Sequence, residues 1–98
     1  MSWSNSSNYQ EQSSHISNLS KLKLGESALI VNISPESDQY YRQRLLSRGI
    51  LPGVKVQIKN TAPFGDPIEV AVLSSGHSII VRKNEANVIQ IIKLPIVQ

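Results

Sequence analysis

The 98-residue chain has no cysteine. That excludes a disulfide framework, a zinc ribbon and a thiol nucleophile, and it suits a reducing compartment. Aromatic residues are scarce, at one Trp, one Phe and three Tyr. So few cannot line the aromatic groove that grips proline-rich peptides. Charged residues reach only 17%, while apolar ones reach 40%, a balance that is globular rather than disordered. No apolar run approaches the roughly 20 residues of a membrane span. The opening Met-Ser-Trp-Ser-Asn has neither the basic nor the apolar region of a secretory signal. A soluble cytoplasmic protein without direct membrane insertion is expected. The length allows a single domain. A chain this short buries only about 60% of the surface its unfolded form exposes, so its core must be small and well filled.

The net charge is +3, and it is spread rather than clustered. Basic residues run from Lys21 to Lys93 with acids interleaved, and the one dense patch is Arg42, Arg44 and Arg48. Mild positive charge eases contact with an acidic partner. A free-standing small barrel that binds nucleic acid is the alternative from another class. It would need aromatic residues on a basic strand face to stack bases. The segments 54–59, 67–73 and 77–82 contain none, so no nucleic acid is expected as a partner.

Residues 1–18 are dominated by Ser, Asn and Gln. Such a segment buries too little apolar area to offset its ordering entropy. It reads as a flexible tail whose removal shifts the melting temperature by only a degree or two. The compact domain is expected over 19–94, followed by a short tail at 95–98. Ala28 to Ile33 is a β-branched run and hence a strand, with its inward face left open by the pattern. Ser34-Pro35-Glu36 predicts a helix start, with Ser as N-cap and Pro at the first helical position. That helix should run to about Arg48, with Gly49 just past its end. Tyr41, Leu45 and Arg48 share one stripe, and Asp38 and Arg42 are spaced to pair. Leu51-Pro52-Gly53-Val54 predicts a type II turn. Val54–Lys59 alternates apolar with polar residues, and Ile68, Val70 and Val72 alternate with Glu69 and Ala71. Ser74-Ser75-Gly76 predicts a hairpin turn. Ile79 and Val81 predict a fourth strand with Ile80 facing outward. Asn84–Asn87 reads as one 3₁₀ turn, and Ile89 and Ile91 carry a fifth strand. About five short strands with one α-helix after the first suit a mainly β fold, a small SH3-like antiparallel barrel.

No chemistry-bearing constellation stands out. The candidate metal ligands are His15, His77, Asp38, Asp66, Glu69 and Glu85, and their spacing brings no three or four together in sequence. His77 stands alone beside the hairpin turn. There is no nucleophile elbow, no paired-carboxylate spacing and no phosphate-binding loop. The expectation is no catalytic residue, no metal site, no cofactor and no enzyme activity.

Three segments carry a resemblance. They are Arg44-Leu45-Leu46-Ser47-Arg48-Gly49-Ile50-Leu51-Pro52-Gly53, Ala62-Pro63-Phe64-Gly65-Asp66-Pro67 and Arg82-Lys83-Asn84-Glu85-Ala86, preceded by Leu19-Ser20, Leu22 and Gly25-Glu26. Together they resemble the core domain of the ferrous iron transport protein A (FeoA) family over about residues 19–94. The resemblance implies an SH3-like barrel, in which Gly25, Leu45, Gly49, Pro52, Gly53, Pro63, Gly65, Asp66 and Pro67 are structural. It implies a non-enzymatic accessory or regulatory role in bacterial ferrous iron uptake. The implied partner is the cytoplasmic side of FeoB, the transporter with a G-protein domain. The same domain type closes iron- and manganese-dependent repressors. A repressor-type peptide-binding module is therefore a further alternative, although a full repressor is not expected without upstream DNA-binding helices. The sequence departs from the family pattern at Leu24, in place of Pro, and at Arg48, in place of Met or Leu.

Small barrels act through loops and strand edges. The candidate partner-binding surface is Tyr40, Arg44 and Arg48 on the helix, Ile50 and Leu51 after it, and the outward Ile80, because Tyr and Arg are enriched among interface hot spots. Arg48 sits on a buried stripe but carries a charge. Its stem is expected to lie along Leu45 with the head reaching water or a carboxylate. Arg48→Met should then keep stability or raise it by up to about 1 kcal/mol.

Overall fold

Short β-branched runs separated by Gly- and Pro-containing turns favour short antiparallel strands. The computed structural model describes residues 15–95. It places β1 at Ile16–Asn18, β2 at Ser27–Ile33, β3 at Lys55–Thr61, β4 at Ile68–Val72, β5 at Ser78–Val81 and β6 at Ile89–Lys93. A 3₁₀ turn covers Leu19–Lys21, α1 spans Gln39–Ser47 and α2 spans Lys83–Ala86. The six strands form one antiparallel sheet in the order β1-β6-β2-β3-β4-β5. The fold is mainly β, as expected, with six strands among the described residues where about five were expected.

The additional strand comes from the segment read as a tail. Ile16, Ser17 and Asn18 pair with Ile92, Ile91 and Gln90 of β6. Asn18 then caps the 3₁₀ turn, its Oδ1 accepting from Ser20 N at 3.1 Å. Three residues are too few to show a period of two, so this strand left no mark in the pattern. The expected tail at 1–18 is therefore a strand at 16–18. Residues 1–14 and 96–98 lie outside the described residues.

Two bulges set which side chains enter the core. Ala28 and Ile30 point inward from β2, and the register shift between Ile30 and Asn32 hands the next inward position to Ile33. An extra residue in one strand breaks the strict alternation, which is why the sequence left this strand's inward face open. A second shift lies between Ile58 and Asn60, beyond which β3 is exposed. The inward residues of β2 to β6 join Leu19, Leu45, Ile50 and Ala86 in a single core cluster. Ala71 is buried as well, although alternation placed it outward.

Helix α1 begins later than predicted. Pro35, Glu36 and Ser37 form a turn closed by Ser37 N donating to Ser34 O at 3.0 Å. The N-cap is Asp38, whose Oδ1 accepts from Tyr40 N at 3.0 Å. Engaged there, Asp38 does not pair with Arg42, whose Nη1 instead donates to Ile33 O at 3.1 Å. The far end is as predicted. Gly49 adopts φ +100°, a left-handed conformation that favours glycine. Gly49 N donates to Leu46 O at 3.1 Å and Ile50 N to Leu45 O at 3.0 Å, the paired bonds of a Schellman motif. The predicted type II turn follows, with Val54 N donating to Leu51 O at 3.1 Å and Gly53 at φ +91°. The segment read as a 3₁₀ turn is instead α-helical in α2, where Ala86 N donates to Arg82 O and Asn87 N to Lys83 O.

Candidate functional site

Helix α1 buries only Leu45 completely. A helix with so narrow an apolar stripe needs other anchors, and they are polar. Arg42 ties its first turn to β2. The Tyr41 hydroxyl accepts from Asn84 Nδ2 at 2.7 Å, linking α1 to α2. At the C-terminal end, Arg48 reaches across to β5 and α2. Its Nη1 donates to Ile80 O at 2.8 Å, and its two nitrogens meet Glu85 Oε1 at 3.4 Å and Oε2 at 3.2 Å.

Glu85 is the one buried charged residue among those described, at 2% exposure. An isolated carboxylate there would be prohibitively costly, and every part of it is engaged. Oε1 also accepts from Arg82 N at 3.0 Å, the N-cap amide of α2. Arg44 Nη2 lies 3.7 Å from Oε2. Paired and hydrogen-bonded on both oxygens, the charge is retained in the interior. Arg48 thus has the carboxylate its position called for, and that carboxylate depends on it. The expectation that Arg48→Met keeps or raises stability assumed that Arg48 holds no obligatory pair, and that premise does not stand, because the guanidinium pairs with the buried Glu85 carboxylate.

These contacts frame a groove of about 470 Å³ between the C-terminal half of α1 and β5, with Arg44, Arg48, Arg82, His77, Ser78 and Ile80 among its walls. Three arginines against Glu85 leave two net positive charges. Tyr40 stands at the outer side of α1, 64% exposed, with the Arg44 guanidinium 5.5 Å from its ring centroid. That cation–π contact holds Arg44 along the helix surface.

Of the expected partner-binding residues, Arg44, Arg48 and Ile80 come together at this groove, and Tyr40 lies beside Arg44. Leu51 is exposed at the turn after α1. Ile50 is not on the surface. It is fully buried, because its amide closes the Schellman motif and its side chain joins Leu45 in the core. The sequence missed Glu85 and Arg82 as parts of this surface. A glutamate three residues after the N-cap, here Arg82, is the signal of an N3 carboxylate.

The candidate metal ligands are spread over separate tasks. Asp66 Oδ1 accepts from Lys83 N at 2.9 Å, so the 62–67 loop caps the first turn of α2. Asp38 caps α1 and Glu85 holds the arginines. His15 and His77 are both exposed. Among the described residues no three such side chains converge.

A family model for the FeoA domain matches residues 17–93. The FeoA protein from Chlorobium tepidum is 35% identical, over 80% of this chain and 70% of that one, with a TM-score of 0.69. An FeoA-like protein from Clostridium acetobutylicum is 29% identical over 85% and 92% of the two chains, with a TM-score of 0.73. FeoA from Stenotrophomonas maltophilia, solved complexed with zinc and described as a procaryotic SH3 domain protein, is 25% identical. It matches over 76% of this chain and 87% of its own, with a TM-score of 0.62.

Proposed function

This chain belongs to the FeoA domain family, associated with ferrous iron transport, and from that premise we propose that it is a non-enzymatic accessory protein of ferrous iron uptake. It works at the cytoplasmic side of the membrane by binding a FeoB-type transporter, and it tunes the transporter's G-protein-linked gating or assembly. It reaches the membrane surface through that partner. No helix among the described residues is long and apolar enough to cross a membrane.

The observation that carries this reading is the surface around Arg44, Arg48 and Arg82. It is cationic, lies partly open between a helix and a strand edge, and is braced from within by Glu85. A rigid, charged surface with Tyr and Arg at its margin is suited to protein recognition. The test is co-purification of the tagged chain with detergent-solubilised transporter from the same cells, with and without guanine nucleotide. Retention of the transporter in at least one nucleotide state is expected. Its absence in every state, with both proteins folded, overturns the reading.

A further inference from the structure

Among the described residues, strand β5 is one of the two outer strands of the sheet. One side of its backbone is occupied by β4. Val72 N donates to His77 O at 2.8 Å, and the register continues with Val70 opposite Ile79 and Ile68 opposite Val81. In an antiparallel ladder the hydrogen-bonding direction alternates along the strand. His77, Ile79 and Val81 therefore turn their main-chain groups to β4, and Ser78 and Ile80 turn theirs away. The contact from Arg48 Nη1 to Ile80 O fixes that direction independently. The outward N–H groups of Ser78 and Ile80 face the groove that Arg44, Arg48 and Arg82 line.

An unpaired strand edge is a template for another strand. This edge is selective about what it accepts. Arg48 occupies the Ile80 carbonyl, so among the described residues the edge presents two donors and one uncovered acceptor, Ser78 O. Guanidinium groups stand beside those donors, with two positive charges left after Glu85 is counted. The exposed Ile80 side chain, at 55%, offers an apolar contact on the outer face of the sheet. Main-chain donors, flanking cations and one apolar contact complement an extended segment whose side chains alternate between carboxylates and aliphatic groups.

We propose that β5 is a docking edge for an extended acidic segment of the transporter, which adds to the sheet beside Ser78 and Ile80 with its carboxylates against Arg44 and Arg82. This rests on the reading that the chain binds such a transporter, and it names the surface and the chemistry of the contact. Arg48 acts as a positioning residue, since its guanidinium is committed to Glu85 and to the Ile80 carbonyl.

The probe is a short synthetic peptide of alternating Glu and Val, titrated into the full isotope-labelled chain at low ionic strength. Amide shifts centred on Ser78 and Ile80 are expected. A peptide with Lys in place of Glu should leave them unmoved. Ile80→Pro removes an outward N–H that the β4 ladder does not use, and it should weaken the acidic peptide about tenfold or more. Arg82→Ser, at an exposed side chain, should weaken it several-fold and serves where Ile80→Pro does not fold. Both variants should lose transporter in the co-purification. Shifts centred elsewhere, or peptide affinity indifferent to both substitutions, overturn the proposal. Transporter captured equally by the wild type and both variants overturns it while leaving the accessory function standing. A self-associated chain that dissociates on Ile80→Pro would give the edge to a second copy and also overturn it. If the wild type captures no transporter, the accessory reading fails and this docking role fails with it, whatever the peptide does.

Discussion

A carboxylate at position 85 is buried, and Arg48 is its bidentate partner. Removing one side of a buried pair leaves the other charge uncompensated, which costs about 3–5 kcal/mol when nothing else remains. Here Arg44 stays 3.7 Å away and the Arg48 side chain is 28% exposed, so the loss is smaller. Arg48→Met is expected to destabilise the fold by about 2 kcal/mol, read from urea unfolding. Adding Glu85→Leu to that variant removes the stranded charge and should restore more than half of the loss. An unchanged urea midpoint in Arg48→Met would mean that Arg44 alone neutralises Glu85. The sequence showed that an arginine on a buried stripe needs water or an anion. It could not choose among the seven acids of the chain, because the partner lies 37 positions away and is delivered by the sheet.

At the scale of the element, α1 is a helix of low amphipathicity with well-defined ends. Asp38→Ala deletes the N-cap and should cost about 1 kcal/mol, whereas Ser34→Ala, at the predicted start, should cost less than about 0.5 kcal/mol. Equal losses would contradict the observed helix start. Both the predicted cap and the real one are short polar residues, and the Pro after Ser34 favours either a helix or a turn. Local chemistry therefore left two starting points. Arg42 reaching Ile33 and Tyr41 meeting Asn84 are the tertiary contacts that accompany the later one. The C-terminal end had no rival, since a glycine followed by a β-branched residue matched a Schellman ending. Gly49→Ala should destabilise by about 1 kcal/mol through backbone strain alone. Space does not oppose it, because an added Cβ would meet only Ile79 Cδ1 at 3.9 Å.

For the whole molecule, stability depends on how the ends of the sheet are tied down. Ile16–Asn18 extends the sheet beyond β6 and leads into Leu19, which is fully buried. A chain beginning at Leu19 should melt several degrees below one beginning at His15, about 1 kcal/mol or more for a domain of this size. Equal melting temperatures would show that β1 adds nothing. Acid should loosen a second tie. Glu26 pairs with Lys93 at the end of β6 and accepts from Lys23 N at 2.8 Å. Those contacts, Lys93 first, hold its carboxyl below the ordinary value. A depressed carboxylate contributes stability above its unfolded pKa, near 4.3, and loses it as pH falls through the folded value. Lys93→Met should therefore flatten the loss of urea resistance between about pH 5 and pH 3. An acid limb identical to that of the wild type would discount the pair.

Strand positions from Ala28 onward, the turns at Gly49, Gly53 and Gly76, and the mainly β class were legible in the sequence. Each rests on local steric preference or on a period that a few neighbouring residues can carry. The motif segments likewise identified the family without any coordinates. What only the tertiary structure decided is long-range. It recruited Ile16–Asn18 as an edge strand, turned Ile33 inward at a bulge, and buried Ile50 beneath the turn that ends α1. It also brought Arg44, Arg48 and Arg82 around Glu85. The physical reason is common to all four. Backbone pairing and charge compensation act through space between residues far apart in the chain, and no local pattern specifies which partner the folded sheet will supply.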